Sequence, residues 1–413
     1  MKNIIILLLP LFLNSCKNIS NREINVDIDN SITITINEFD QIKTRFSELL
    51  KNYKYIKLDT HPEHIIGSID KIIISEGLIY ILDRHSAKSI FTFDLNGNFI
   101  NQIKKLGKGP GEYLSINDFF IDSVNNSIFL FDNKAKRLIE YSLSGDYKKD
   151  YNLPEIYSRS FYFDCYTGKF LYYLGFKPQK IEAGSKVLNR YNLLFYNKKR
   201  KLYGKALNIK YIETEKRDFN FFNNYSGLSF VYGYTDKIFR IDIEDAIVEP
   251  VYTIDFGNHS LKKDKAFGKV GETSLNEYIR SKNADNGIHK MDYAFGVTNI
   301  IETDNYLYFN FIYGRRYYSC FYSKKTGEKI YDCCIEDDLN CFGSSLNLTT
   351  FNNKFVSVID PYNFHRMISF KEKNFSKLEC DVFKESNSEV YDLYEQTKID
   401  DNPILFIYEI NEF

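Results

Sequence analysis

An all-β fold is what this sequence predicts, and three observations carry the prediction. Aromatic residues make up 16%, with 33 Tyr, 35 Phe and no Trp; such side chains favour half-buried pleated surfaces. A strand-rich unit recurs about every fifty residues. Strand-like segments also stand at both ends of the repeating region, where they can pair with each other.

The repeat is clearest near its start. Residues 78–99, LIYILDRHSAKSIFTFDLNGNF, align almost position for position with residues 127–147, SIFLFDNKAKRLIEYSLSGDY. Each holds a strand ending in Asp, a polar turn, a second alternating strand and a Gly-centred hairpin. IDKIIISEG (69–77) and INDFFIDS (116–123) supply a strand before each. Four short antiparallel strands at a fixed period describe one blade of a β-propeller. FYFDCYTGKFLYYLGF (161–176) with YNLLFYNKKRKLYGKAL (191–207) gives a third blade, split by a polar insertion. LSFVYGYTDKIFRIDI (228–243) with VYTIDF (251–256) gives a fourth. Residues 298–333 form a fifth, and LNLTTFNNKFVSVID (346–360) opens a sixth. The expectation is a six-bladed β-propeller of four-stranded antiparallel blades. NPILFIYEI (402–410) and YKYIKLDT (53–60) would complete blade six, one from each end, because an open sheet edge invites aggregation. Residues 260–283 read as an insertion after blade four, helical towards its end, and 388–398 also read as helical.

Bulk composition narrows the class. Hydrophobic residues at 44% are enough for a large core and argue against disorder. The 54 basic and 55 acidic residues leave a net charge of −1, so no field attracts nucleic acid and no nucleic-acid partner is expected. At the N-terminus, Lys2 precedes the apolar run IIILLLPLFL (4–13), too short to span a bilayer, and then Leu13-Asn14-Ser15-Cys16. This resembles the bacterial lipobox. It implies a signal peptide over 1–16, acylation of Cys16, a polar tether over 17–38 and a propeller over 39–413. The expected location is the outer membrane by a lipid anchor, on its periplasmic face, since an acidic cluster of the surface-export kind is missing after Cys16. The other cysteines are Cys165, Cys320, Cys333, Cys334, Cys341 and Cys380. Without a C-x-x-C pair they suggest neither zinc nor redox chemistry. Cys320 or Cys341 could pair with Cys333 or Cys334 across neighbouring strands, and unpaired thiols are the plainer expectation.

The segment GKGPGEY (107–113) looks at first like a phosphate cradle. A P-loop needs a terminal GK[ST], and the dinucleotide fingerprint needs Gly where Glu112 stands. Both also need a following helix, whereas YLSINDFFID reads as a strand. Gly107, Gly109, Pro110 and Gly111 therefore form a structural turn that aims Glu112 and Tyr113 at the funnel rim. The run IGSIDKI, IYILD, FDLNGNFI, GKGPGEY and INDFFID resembles the Bacteroidetes six-bladed β-propeller lipoproteins, relatives of the NHL-repeat propellers. The resemblance is strongest over 53–147, and DNPILFIYEI is similar to the family's closing strand. It implies the fold and brings no assigned activity with it.

Candidate ligand-binding residues come from connections expected at one mouth of the channel. They are Glu112 and Tyr113; Asp83 and Arg84; Asp132 and Lys134; Asp236 with Tyr234 and Thr235. Arg315, Arg316, Asp360 and Tyr362 complete the set. Such a ring suits a protein, peptide or polar ligand. The alternative for each Asp is acceptance of amide hydrogen bonds within its own turn. No catalytic residue is assigned: G-x-S-x-G does not occur, and Pro62 in H61-P-E-H64 rules out a zincin helix. No cofactor is expected. Calcium stays open through the oxygen donors Asp70, Asn117, Asp118 and Asn299, as in a calcium-assisted lyase or hydrolase. A glycan-binding lipoprotein is the other alternative, weakened by the lack of Trp. A membrane-tethered, non-catalytic binding or scaffolding module is the leading expectation.

Overall fold

The alternation in SIFLFD decides the architecture. Ile128 and Leu130 pack into one hydrophobic cluster, while Phe129 and Phe131 on the opposite side of the same strand pack into another. A strand buried on both faces must lie between two sheets. The computed structural model describes residues 22–23, 30–39, 44–175, 190–209, 222–224, 227–261, 292–333, 335, 338 and 347–413.

Six antiparallel sheets follow one another as blades. Blade 1 is Lys71–Ser75, Leu78–Asp83, Ser89–Asp94 and Phe99–Ile103. Blade 2 is Asp118–Asp122, Ser127–Asp132, Arg137–Ser142 and Tyr147–Asn152. Blade 3 is Ser160–Asp164, Lys169–Tyr173, Tyr191–Tyr196 and Leu202–Asn208. Blade 4 is Phe222–Asn224, Leu228–Phe230, Lys237–Asp242 and Ile247–Asp255. Blade 5 is Phe295–Glu302, Tyr306–Tyr313, Arg316–Ser323 and Lys329–Asp332. Blade 6 takes Asn347–Phe351, Lys354–Ile359 and Ile404–Ile410 from the C-terminal part, and its outer strand Leu50–Lys57 from the N-terminal part.

Closure is visible in the packing. Six hydrophobic clusters each lie between consecutive blades, including one between blades 6 and 1 that joins Ile407 and Leu405 to Ile72, Ile79 and Phe91. The fold is the expected six-bladed propeller, and Ile404–Ile410 pairs antiparallel with Leu50–Lys57 from Ile404↔Lys57 to Ile410↔Leu50.

Two regions differ from the sequence reading. Part of the stretch assigned to a tether is an added outer strand. Ile32–Thr35 runs parallel to the outer strand of blade 4, Tyr252↔Ile32 through Asp255↔Thr35, with Ile34 and Ile36 buried. Arg22–Glu23 pairs in the same sense with the outer strand of blade 3. The second difference is helical. Three helices, Pro361–Asn374, Lys377–Ser386 and Ser388–Gln396, stand between the second and third strands of blade 6. Only the last was expected. Asp360 caps the first, accepting from Asn363 N–H at 2.9 Å with Pro361 in the first turn. Ser376 and Glu379 form a capping box for the second. Phe364, Ile368, Val390 and Tyr391 seal the helices onto the cluster between blades 5 and 6. The insertion expected as helical over 260–283 lies outside the described residues from 262 onward.

Candidate functional site

A four-stranded meander places the links between strands two and three, and those between blades, on one face of the ring. The remaining hairpins fall on the other. We call these the loop face and the turn face. Hairpins on the turn face are short, such as 95–98 and 143–146. The strand ends that flank the long connections 174–190, 256–294 and 360–403 all lie on the loop face. Every candidate binding residue falls there too.

The structure separates those candidates into buried struts and exposed groups. Asp83 is fully buried. Its Oδ2 accepts from Gly67 N–H (2.8 Å) and Ser68 N–H (3.1 Å), and its Oδ1 accepts from Ser86 N–H (2.8 Å) and His85 N–H (3.2 Å). Burial pushes its carboxyl pKa up, but backbone N–H groups of Ala87, Ser86, Ser68 and Gly67 outweigh that, so it lies below the ordinary aspartate value. Asp132, equally buried, repeats the arrangement one blade on with Leu114 N–H (2.7 Å), Ser115 Oγ (2.8 Å) and Ala135 N–H (3.1 Å). Each carboxylate ties the link entering its blade to the turn leaving its second strand. Both aspartates expected at the rim are therefore internal fasteners. Arg84 is half-buried and donates to Asp70 at 3.0 Å.

Correction extends to GKGPGEY. The turn is present: Gly107 N–H donates to Tyr113 O (3.1 Å) and Glu112 N–H to Gly109 O (3.1 Å). Glu112 folds back on it, accepting from Gly109 N–H at 2.8 Å. Tyr113 does not face the rim. It is fully buried in the cluster between blades 1 and 2, and its hydroxyl donates to Lys88 O at 2.6 Å. Burial pushes its phenol pKa up to about 12. Gly111 has φ +71°, and its carbonyl accepts from the buried Tyr141 hydroxyl at 2.7 Å. Sequence identifies these as unusual residues; it does not show that they face inward.

Lys134, Asp236, Arg315, Arg316, Asp360 and Tyr362 are exposed on the loop face. Asp360 doubles as the helix cap described above. Sequence reasoning missed the apolar part of this face: Phe370, Phe375, Leu378 and Val382, on or beside the first two helices, are 58%, 38%, 74% and 54% exposed. The D-P and S-x-x-E cap signals could have revealed those helices, though not their exposed side chains.

The calcium donors disperse among protein partners. Asp70 holds Arg84, Asp118 holds Lys71 Nζ at 2.7 Å, Asn117 accepts from Asn133 N–H at 3.1 Å, and Asn299 donates to Asn310 at 3.0 Å. Among the described residues, no cluster of three or more His, Cys, Asp or Glu is poised for a metal. His64 stacks on Phe99 at 3.9 Å as a packing residue. Among the described residues, Cys165, Cys320 and Cys380 are free thiols. Burial pushes the Cys165 thiol up to about 12, leaving it poorly nucleophilic. Cys16, Cys334 and Cys341 lie outside the described residues.

Comparison with known proteins agrees with this architecture. A Bacteroides fragilis protein described as exported shares 17% identity, with 92% of this chain and 100% of that chain covered at a TM-score of 0.69. A DUF4221-family protein from Bacteroides vulgatus shares 11% identity, covering 88% of this chain and 98% of that one at a TM-score of 0.48. The first supports the fold, and neither assigns a ligand. No protein with a curated description matches. Over residues 30–409, from just before the added outer strand to the penultimate residue of the closing strand, the chain belongs to DUF4934, a domain of unknown function.

Proposed function

We propose that this protein is an exported, lipid-anchored recognition module whose loop face receives a protein or peptide partner. One observation carries the reading: the exposed charged and apolar residues of the inter-strand links and of the inserted helices share one face. Arg315, Arg316 and Lys134 offer charge there, and Phe370, Leu378 and Val382 offer apolar surface. Mixed apolar and guanidinium surface is the composition of protein interfaces. The reading needs no cofactor. Similarity to a Bacteroides protein described as exported supports secretion, LNSC supports acylation at Cys16, and GKGPGEY supports kinship with NHL-like propellers.

Photo-crosslinking in cells tests it. A crosslinker at Leu378 or Arg316 should capture one discrete partner, and one at Asn96 on the turn face should not. Equal capture from both faces, or none from the loop face, refutes the proposal. Cys16→Ala should move the protein from the membrane to the soluble fraction; retention in the membrane would refute the anchor.

A further inference from the structure

The turn face carries a concentrated basic feature. The hairpin between the third and fourth strands of blade 3 reads Asn197-Lys198-Lys199-Arg200-Lys201. All four basic residues are exposed, and none forms an ion pair among the described residues. Their presentation is built. Asn197 Oδ1 accepts from Lys199 N–H (2.9 Å) and Lys201 N–H (3.1 Å), Arg200 N–H donates to Asn197 O (2.8 Å), and Arg200 has φ +62°. Lys148 and Lys149 extend positive charge along the outer edge of blade 2. On the other side the equivalent blade 4 turn is acidic, with Glu244 and Asp245 exposed. The basic hairpin of blade 3 thus has an acidic counterpart on the next blade.

The chain trace supplies a second observation. Arg22–Glu23 pairs in parallel with the outer strand of this same blade, Arg22↔Gly204 and Glu23↔Lys205. That strand rises from the basic hairpin towards the loop face. Arg22, the first residue of the pairing, therefore lies at the hairpin end of that strand. Cys16 lies six residues before Arg22, so a fully extended segment reaches at most about 20 Å from it.

We propose that the 198–201 hairpin docks on an anionic bilayer beside the acyl anchor, holding blade 3 down and turning the loop face away from the membrane. This rests on acylation of Cys16. An acyl anchor combined with a basic cluster is a two-signal membrane attachment, in which anionic headgroups attract each nearby Lys or Arg. The anchor fixes the distance, and the hairpin fixes the tilt.

The test uses the full acylated chain in phosphatidylcholine vesicles with and without phosphatidylglycerol, probed with an amine-reactive reagent. Lys198, Lys199 and Lys201 should react at least about fivefold more slowly in the anionic vesicles, while Lys88 and Lys134 on the loop face react equally in both. High salt should abolish the difference, because it shortens the screening length to about 3 Å at 1 M. Replacing the four residues together, K198E, K199E, R200E and K201E, should leave the chain in the membrane pellet and remove the vesicle dependence of Lys148 and Lys149. The milder pair K199A and R200A guards against misfolding of that variant and should weaken the effect in part. Unchanged reactivity of a membrane-bound chain overturns the docking while leaving the anchor intact. Protection of Lys88 and Lys134 instead overturns the orientation. A chain that never sediments with vesicles overturns the anchor, and this placement with it.

Discussion

Among the glycines of the GKGPGEY turn, Gly111 should be the most damaging to replace with Ala, and its cost should have a specific signature. Gly111 has φ +71°, where a Cβ crowds the following carbonyl at about 1–2 kcal/mol. The added Cβ would also lie 2.7 Å from Cγ and 2.8 Å from Cβ of Tyr147. Those atoms are near the Tyr147 backbone, so a rotamer change cannot remove the clash and the outer strand of blade 2 must shift. Overpacking of that kind costs about 1–3 kcal/mol, for a sum of about 2–5 kcal/mol. Gly107 provides the contrast. A Cβ there would meet Glu112 Oε2 at 2.0 Å, but that is the end of a flexible side chain, and Gly107 has no positive φ. The carboxylate can swing away, losing its bond from Gly109 N–H for about 1–2 kcal/mol. Urea unfolding followed by near-ultraviolet circular dichroism measures both variants. In a Glu112→Ala background the Gly107→Ala cost should largely disappear and the Gly111→Ala cost should persist. A Gly111→Ala cost below about 1 kcal/mol, or one abolished by Glu112→Ala, would refute the assigned strain.

Two further outcomes follow from the packing and the fasteners. Truncation after Asn402 removes Leu405 and Phe406, which belong to the clusters on either side of blade 6, so calorimetry should show the single cooperative transition lost; a native-like transition would make the last strand peripheral. Asp83→Asn should cost about 1–3 kcal/mol at neutral pH, because an amide cannot accept at both of its positions. The folded carboxyl titrates below the unfolded value of 3.8, so its contribution is full above that value and fades as pH falls through the lower folded value. Chemical denaturation from pH 6 to pH 2.5 should show a shallower acid loss in Asp83→Asn than in the parent, and parallel curves would contradict the assignment.

The repeat was legible because blades 1 and 2 spell it in full: apolar alternation fixes which side chains point left and right, and Gly-centred hairpins fix the period. Ile404–Ile410 was legible for the same reason, since a strand apolar on both faces needs two neighbouring blades. Phe222–Asn224 was missed because three residues give no measurable alternation. The ITIT run at Ile32–Thr35 was absorbed into a polar tether because its pairing is parallel and added at an edge, with no turn to mark it. The site was harder. Sequence favours turn acceptance over a rim role for Asp83 and Asp132 but does not show the donors 15 and 17 residues upstream, at Ser68 and Ser115. The recurrence of Ser68 and Ser115 ahead of those aspartates was in the sequence and marks a structural role. Tyr113 was misplaced because residue type says nothing about which side of a link faces the core.

Blade 6 is assembled from residues near 50 and residues near 404, so its pairing spans nearly the whole chain. Loop-closure entropy makes such a contact a late event in folding, whereas the hairpins of blades 1 and 2 can form as soon as they exist. Until Ile404–Ile410 is available, Leu50–Lys57 lacks its partner strand and the ring has no last wall. A chain built this way cannot close its ring until residues 404–410 have been made, and so stays open while the preceding blades are synthesised.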